Sequence, residues 1–222
     1  MRALYLPHHH RWVRQGSDHP IQHARRMLEM VTRRTGDSSL LCDLGAGFEP
    51  SLLADVWSGQ RIAVDVVPGP GLDLVADGHT LPFRDKCLDV ILLMEVLEHV
   101  PDPLRLLREC FRVLRPGGHL CLTVPQYHTI HNHPGDFYRY TRQGLEYLCR
   151  EADFRVVAAW ATGGPILVLF HAIELNLSPK PRLAFVALTY RLFDWLDGWA
   201  CAHGNGEGVH DAVGWAMVAT RE

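Results

Sequence analysis

The chain has 222 residues, of which 47% are hydrophobic, and it carries a formal net charge of -3 at neutral pH. That length is enough for one sizeable hydrophobic core, and no shift in composition marks a second domain. A slightly negative chain has no electrostatic reason to bind a long stretch of DNA or RNA, so no nucleic-acid partner is expected. The six cysteines are dispersed without a C-x-x-C pair, which is typical of core side chains in a reducing compartment.

Residues 1–37 are expected to form an N-terminal helical cap. They lack the apolar core of a signal peptide, and no apolar run in the chain approaches the ~20 residues that span a bilayer, so a cytoplasmic location is expected. We interpret His8, His9 and His10 as a solvated segment or a pocket lid. Apolar positions at helical spacing then predict an amphipathic helix over residues 20–34, covering one side of a crevice.

A buried strand, a glycine turn and an acid after the next strand are predicted between residues 40 and 65. The strand Leu40–Leu44 leads into Gly45 and Gly47, where the lack of a Cβ allows a sharp turn and close approach to a ligand. Asp65 ends the next strand, where a carboxylate can accept hydrogen bonds from two ribose hydroxyls. The pattern predicts a nucleoside-binding crevice.

The glycine spacing separates two classes of nucleoside cofactor. The dinucleotide fingerprint G-x-G-x-x-G requires glycine at position 50, where this chain has Pro50. A pyrophosphate cradle is therefore disfavoured, and the absence of an obvious Tyr-x-x-x-Lys pair also argues against a nicotinamide-dependent oxidoreductase.

The D-x-G-x-G run from Asp43 to Gly47, followed by Asp65, resembles motif I of the class I S-adenosylmethionine-dependent methyltransferases, in particular those with a type 11-like domain. One departure is Glu49, where many members carry a third glycine. The resemblance continues in the family's order over residues 38–160. It includes a third strand at 75–78, a fourth at 88–93 with the turn 95–100, the loop 112–118 and a fifth strand at 119–124.

This resemblance implies an α/β fold: a doubly wound, mostly parallel, seven-stranded Rossmann-like sheet with helices on both faces. Periodicity alone also predicts a helix from Pro103 to Leu114, which Pro116-Gly117-Gly118 prevents from continuing. Alternation of helix and strand at this rhythm favours a parallel sheet. The expected single domain comprises the cap (1–37), the cofactor-binding core (38–160), a helical insertion or lid (162–213) and the last strand (214–222).

The resemblance also implies the cofactor, S-adenosylmethionine, and the residues that hold it. Asp43, Gly45 and Gly47 are expected under the methionine and ribose, Asp65 on the ribose, and Asp77 near the adenine. The remaining residues of the expected cofactor set are Ala46, Val66, Gly78, Met94 and Glu95.

A loop rich in histidine and aromatic residues follows the fifth strand, at the edge where ligands bind. His131 and His133 are equal candidates for a general base that removes a hydroxyl proton from the methyl acceptor. The expected substrate-binding residues are His99, Tyr127, Tyr138 and Arg139. A purely structural alternative makes the loop a turn in which Asp136 or Thr141 caps the next helix. Similarly, Glu98 and His99 are suited to capping a helix. No metal site is expected.

About fifty residues separate the sixth strand, Phe154–Ala161, from the last, which indicates a structured insertion. Its helical apolar positions are Leu183, Phe185, Val186, Leu188, Tyr190, Leu192, Phe193, Leu196, Trp195 and Trp199. Packing on the chain's own sheet or a substrate lid is the first interpretation, a homodimer contact the second, and peripheral membrane contact through 183–199 the third. Residues 204–208 are interpreted as a flexible link.

The predicted function is methyl transfer from S-adenosylmethionine to a hydroxyl of a small-molecule or glycan-like acceptor. The alternative is a catalytically silent S-adenosylmethionine-binding or scaffold protein of the same fold, which the departure at Glu49 favours.

Overall fold

The computed structural model describes residues 20–35, 39–47, 57–128, 130, 135–203 and 211–222. The strands are β1 (Leu40–Leu44), β2 (Gln60–Asp65), β3 (Leu74–Val75), β4 (Leu88–Met94), β5 (Leu114–Pro125), β6 (Arg155–Thr162) and β7 (Gly214–Thr220). The α-helices are α1 (Pro20–Thr35), α2 (Pro103–Val113), α3 (Arg142–Glu151), α4 (Pro165–Leu175) and α5 (Pro179–His203), and a 3₁₀ turn spans Leu97–His99.

The described strands form one seven-stranded sheet in the order β3-β2-β1-β4-β5-β7-β6. Strands β1 to β5 pair in parallel, whereas β7 runs antiparallel to both β5 and β6. The expected mostly parallel, doubly wound sheet is therefore confirmed. Because the chain winds outward from β1 in one direction and from β4 in the other, the topological switch point lies between β1 and β4, where such sheets bind ligands.

Strand β4 shows why the central strands are apolar on both sides. Val90 and Leu92 belong to the core that includes Met27 and Leu28 of α1. The alternate residue Ile91 belongs to the opposite core, which is built with α2 and α3. A strand that is covered on both faces must be almost continuously apolar, as the sequence of β4 is.

The junction between α2 and β5 differs from its prediction. The helix ends at Val113, one residue before the predicted Leu114, but the next strand begins at once rather than at His119: Leu114 already pairs with Leu88 as the first residue of β5. The reason lies far away in the chain: Arg221 donates from Nη1 to the carbonyl oxygens of Phe111, Arg112 and Leu114, at 2.5, 3.1 and 2.8 Å. A guanidinium at these last carbonyls stabilises the helix end there.

Two helix caps settle the capping alternatives. Thr141, rather than Asp136, caps α3, since its Oγ1 accepts a hydrogen bond from the N–H of Gly144 at 3.2 Å. Asp102 caps α2 by accepting from the N–H of Arg105 at 3.1 Å. The interpretation of Glu98 and His99 as helix caps was therefore wrong, because they lie in the preceding 3₁₀ turn.

The predicted insertion contains two helices that pack mainly on each other, and we call residues 165–203 the helix pair. Phe170 of α4 contacts Phe185, Tyr190 and Phe193 of α5, with ring centroids 5.2–5.3 Å apart. The helix pair leaves the sheet at Thr162 and returns at Gly214, which pairs with both Thr162 and Pro125. It is therefore rooted at the carboxyl edge of β5.

Asp197 locks the helix pair together. Its buried carboxylate accepts hydrogen bonds from the N–H groups of Gly164, Ile166 and Leu167 at the start of α4, at 2.6–3.2 Å. This satisfies donors that a helix start otherwise leaves unpaired. Over the described part of the chain, no helix has the combined length and apolarity needed to cross a membrane.

Candidate functional site

The turn after β1 places two glycines at the switch point, in different environments. The N–H groups of Gly45 and Ala46 donate to the carbonyl oxygen of Val64 in β2, at 2.8 and 3.1 Å. Gly45 has φ +81°, and a Cβ there would collide with a methyl group of Val96. Gly47 has φ +62°, but a Cβ there would meet nothing within 4 Å among the described residues. Packing therefore requires the first glycine, whereas no described residue fills the space beside the second.

Asp65 holds this turn against the end of β2. Its Oδ2 accepts from the N–H of Gly47 at 2.9 Å, and its Oδ1 accepts from the N–H of Val67 at 2.8 Å. An ionised carboxylate has about four acceptor positions, so both oxygens retain capacity for ligand hydroxyls. The predicted ribose contact is thus compatible with a second task, holding the glycine turn, which the sequence reasoning missed.

Asp43 lies beneath the crevice rather than in it. Only 5% of the residue is exposed, and Arg61 of β2 donates to its Oδ2 from Nη2 at 2.5 Å and from Nε at 3.2 Å. Burial raises the pKa of Asp43, and the Arg61 guanidinium opposes that rise. The pair fastens β1 to β2. A lone arginine in the apolar strand Arg61–Asp65 was the sequence signal that could have revealed it.

The side of the crevice beyond β2 combines an acid with exposed apolar side chains. Asp77 accepts from the N–H of His79 at 2.9 Å and lies 2.8 Å from its Nδ1, and these contacts lower the pKa of Asp77. Val66 and Val75 are about half exposed, at 54% and 50%. Gly78 instead faces the interior, where a Cβ would crowd Leu106 of α2. An apolar surface with one accepting carboxylate suits a flat base that carries an amino group.

Glu95, an acid with a strained backbone, follows β4 at the switch point. Met94 ends the strand, and Glu95 has φ +53°, a left-handed conformation that costs a non-glycine residue about 1–2 kcal/mol. The N–H of Glu95 donates to the carbonyl oxygen of Thr123 at 3.1 Å. Burial raises the pKa of Glu95 to about 7, while a hydrogen bond with Thr123 and the charge of Arg139 oppose the rise. Such strain is frequent at functional sites.

Glu98 is a buried acid near Glu95, which is itself half-buried. Its side chain is fully buried, and neither carboxyl oxygen has a hydrogen-bond partner among the described residues. His99 Nε2 lies 3.6 Å from Oε1 of Glu98. Burial, and then the charge of Glu95, raise the pKa of Glu98 to about 9. The raised pKa favours the protonated form of Glu98, whose hydroxyl can donate a hydrogen bond.

Several hydrogen bonds tie the loop after β5 to the turn after β4. The carbonyl oxygen of Glu98 accepts from the N–H of Phe137 at 2.7 Å, and His99 Nδ1 lies 2.5 Å from the carbonyl oxygen of Gly135. Tyr138 donates its hydroxyl to the Pro101 carbonyl at 3.0 Å. His99 and Tyr138, both predicted to bind substrate, therefore lie together at the carboxyl edge of β4.

Arg139 and Tyr127 complete the predicted substrate set on two sides of this loop. Arg139 makes a bidentate ion pair with Asp136, at 2.5 and 2.9 Å, and its charge also reaches the two acids after β4. Tyr127 lies toward β7, with its hydroxyl donating to Asp211 at 3.1 Å. The structure therefore brings Arg139, but not Tyr127, next to Glu95 and Glu98.

Some predicted residues lie outside the described ranges. These are His131 and His133, Glu49 and Pro50, residues 8–10 and residues 204–208. Within the ranges that are described, no three His, Cys, Asp or Glu side chains converge to hold a metal ion.

Comparison with known proteins agrees with this geometry. Residues 35–122 match the family model described as a methyltransferase domain. An uncharacterized methyltransferase from Mycobacterium sp. (strain KMS) is 36% identical over 103 residues, which is 40% of this chain and 40% of the relative. The chain thus matches less than half the length of the curated relatives found first.

Solved structures share the fold. A SAM dependent methyltransferase from Archaeoglobus fulgidus superposes with a TM-score of 0.58 at 12% identity, covering 95% of this chain and 98% of the other. The 1,6-didemethyltoxoflavin-N1-methyltransferase of Burkholderia thailandensis, solved with bound 1,6-didemethyltoxoflavin and S-adenosylhomocysteine, gives a TM-score of 0.56 at 18% identity, covering 95% of this chain and 80% of the other. At these identities the likeness establishes the Rossmann-like methyltransferase fold.

The two glycines of the turn should respond differently to alanine. Gly47→Ala should lower the free energy of unfolding by about 1–2 kcal/mol, the cost of a side chain in left-handed backbone. Gly45→Ala should lose about 2–5 kcal/mol, because collision with Val96 adds an overpacking cost. Urea unfolding measures both, and Gly45→Ala combined with Val96→Ala should recover part of the loss. Equal losses in the two single variants would contradict this account.

The buried acid Glu98 predicts a pH dependence of stability. Since the pKa of Glu98 is raised from 4.5 to about 9, the folded protein keeps a proton that the unfolded chain releases between these values. The unfolding free energy contributed by this group therefore falls as pH rises from about 5 to 9. Glu98→Gln should flatten that decline and raise stability at pH 8, whereas exposed Glu151→Gln should change neither. An unchanged slope in Glu98→Gln, measured by urea unfolding across this range, would contradict the assignment.

Proposed function

We propose that this chain, whose core is a class I S-adenosylmethionine-dependent methyltransferase domain, transfers a methyl group to a hydroxyl of a small-molecule or glycan-like acceptor. The observation that carries the proposal is the turn at Gly45 and Gly47, held by Asp65 at the switch point of the sheet beside space that no described residue fills. The methyltransferase-domain match spans this turn and the strand that carries Glu95.

The residues present fit the cofactor. The space over Gly47, which no described residue fills, leaves room for a ligand against the backbone, and Asp65 retains acceptor positions for the ribose hydroxyls. The exposed side chains of Val66 and Val75, with Asp77 nearby, suit the adenine. When bound, S-adenosylmethionine supplies a methyl group activated by a positively charged sulfur.

The protein must then hold the acceptor in line and remove its proton. Both ends of the loop after β5 are anchored, because the N–H of Tyr140 donates to the Pro125 carbonyl and His99 bonds Gly135. These contacts hold Gly135 and Tyr140 at the carboxyl edge. Because His131 and His133 lie between Pro125 and Gly135 in the sequence, this supports the proposal that one of them takes the hydroxyl proton. Neutral imidazole is suited to that task near physiological pH.

Side chains beside this loop favour a polyhydroxylated acceptor. Phe137 and Tyr138 are exposed at 54% and 39%, and aromatic faces pack well on sugar rings. Half-buried Glu95 has a raised pKa, so its carboxyl group can accept a hydrogen bond when ionised and donate one when protonated. This combination suits the hydroxyl groups of a sugar or a similar small molecule.

Calorimetric titration tests the cofactor assignment. S-adenosylmethionine and S-adenosylhomocysteine should both bind, NAD should not, and Asp65→Ala should weaken binding roughly 10- to 100-fold through lost charge-assisted hydrogen bonds. Asp85→Ala, which removes an exposed acid elsewhere, is the matched control. Because Asp65 also holds the turn, the variants are compared only where urea unfolding shows them folded. Absence of binding in the unaltered protein would exclude the proposed activity.

Transfer to an acceptor tests the second half of the proposal. With methyl-labelled S-adenosylmethionine and a panel of monosaccharides and small hydroxylated compounds, we expect label in an ether product. His131→Ala or His133→Ala should then lower kcat by about 10²–10⁴-fold with little change in cofactor affinity. His128→Ala, on the same loop, is the control. Full turnover in both variants would exclude His131 and His133 as the general base. Cofactor binding without transfer to any acceptor would favour the catalytically silent S-adenosylmethionine-binding protein.

A further inference from the structure

The outer face of α5 exposes a stripe of large apolar side chains. Leu188, Leu192, Trp195 and Trp199 are exposed at 84%, 54%, 64% and 55%. Their spacing of four, three and four residues places them on one side of the helix, over a length of about 16 Å. We call these four residues the apolar stripe. Contiguous exposed apolar surface of this kind marks an interaction site.

The charges of α5 are divided between its two sides. Arg191, the charged residue that flanks the apolar stripe, is exposed. Asp197 points the other way and is buried against the start of α4, and Asp194 is half-buried. The exposed face therefore combines leucine and tryptophan with a cation, while the acids of the helix are turned aside.

This charge division favours an anionic bilayer surface over a second copy of the chain. In a two-fold symmetric dimer the apolar stripe of one copy would pack on that of the other. Arg191 of each copy would then enter an apolar interface in which the apolar stripe provides no acid to pair with it. At a bilayer, the arginine reaches the lipid phosphates while the tryptophans occupy the headgroup region, as their mixed polarity favours. Helices of this composition lie in the interface plane.

The root of the helix pair connects this face to the acceptor side of the site. The carbonyl oxygen of Val213 accepts from the N–H groups of Gln126 and Tyr127, and Trp215 donates to the Gln126 side chain at 2.6 Å. The helix pair and the loop after β5 therefore leave the sheet from the same edge. Both are rooted at the carboxyl edge of β5, where the acceptor is expected.

We propose that the helix pair docks on the surface of an anionic lipid bilayer through the apolar stripe and Arg191. If the proposed hydroxyl methylation holds, on which this last step rests, docking presents lipid-linked headgroup hydroxyls to the site. The acceptor class is then a hydroxylated lipid headgroup.

Vesicle flotation tests the docking directly. The purified chain should bind vesicles of phosphatidylcholine mixed equally with phosphatidylglycerol more tightly than vesicles of phosphatidylcholine alone. Joint replacement Trp195→Gln and Trp199→Gln should weaken binding roughly tenfold or more. Arg191→Gln should weaken binding to anionic vesicles about fivefold and leave the neutral-vesicle value unchanged. Tyr147→Gln, an exposed aromatic position on α3, is the matched control and should bind normally.

Three results would overturn the docking. These are absence of binding to both kinds of vesicle, unaltered binding by the double tryptophan variant, and a dimer in light scattering that this variant converts to monomer. The replaced residues are exposed, and equal urea midpoints confirm that the variants fold. Calorimetric titration with S-adenosylmethionine in the absence of lipid separates the two proposals. If the chain binds vesicles but not the cofactor, only the methyl-transfer proposal is excluded. If it binds the cofactor but not vesicles, only the docking proposal is excluded.

Discussion

The close contact at Gly45 is the constraint on which the rest of the site depends. Its N–H donates a hydrogen bond to the Val64 carbonyl near the end of β2, and its backbone is left-handed. Val96, which follows β4, occupies the space that a side chain at position 45 would need. Three strands that are separated by long stretches of sequence are therefore held at one point. The floor at Gly47, the position of Asp65 and the strained backbone of Glu95 all follow from how tightly these strand ends meet.

Around this point the protein keeps polar groups at the sheet edge in two different ways. On the β2 side, carboxylates are satisfied by backbone N–H groups or by arginine, as with Asp65 and Asp43. On the β4 side, Glu98 is buried and Glu95 is half-buried, and both have raised pKa values; Glu98 has no hydrogen-bond partner among the described residues. Buried polar groups left unpaired are costly. The β2 side is thus preorganised, whereas the β4 side keeps bonding capacity for a ligand.

Features that depend on short-range pattern were predictable, and those that depend on distant partners were not. The glycine turn and the strands Leu40–Leu44 and Gly214–Thr220 follow from local residue types and match the structure. Local periodicity placed the end of α2 within one residue, but the contact of Arg221 with that end joins residues more than one hundred positions apart and has no local signal. Similarly, no local pattern signals that the Phe137 N–H donates to the Glu98 carbonyl. Periodicity marks α5 as apolar, but only packing on Phe170 shows which side remains exposed.

The position of β7 has a consequence for how the molecule is assembled during synthesis. This strand lies between β5 and β6, although both are translated before it. A growing chain can pair β1 to β5 in order, but β5 and β6 keep open edges until residues 214–220 leave the ribosome. Val213 and Trp215, which anchor the loop after β5, are translated at the same late stage. Strands β1 to β5, which form the proposed cofactor crevice, can thus pair first. A chain that terminates before β7 would lack the anchor of the loop after β5 and would leave the edges of β5 and β6 open to aggregation.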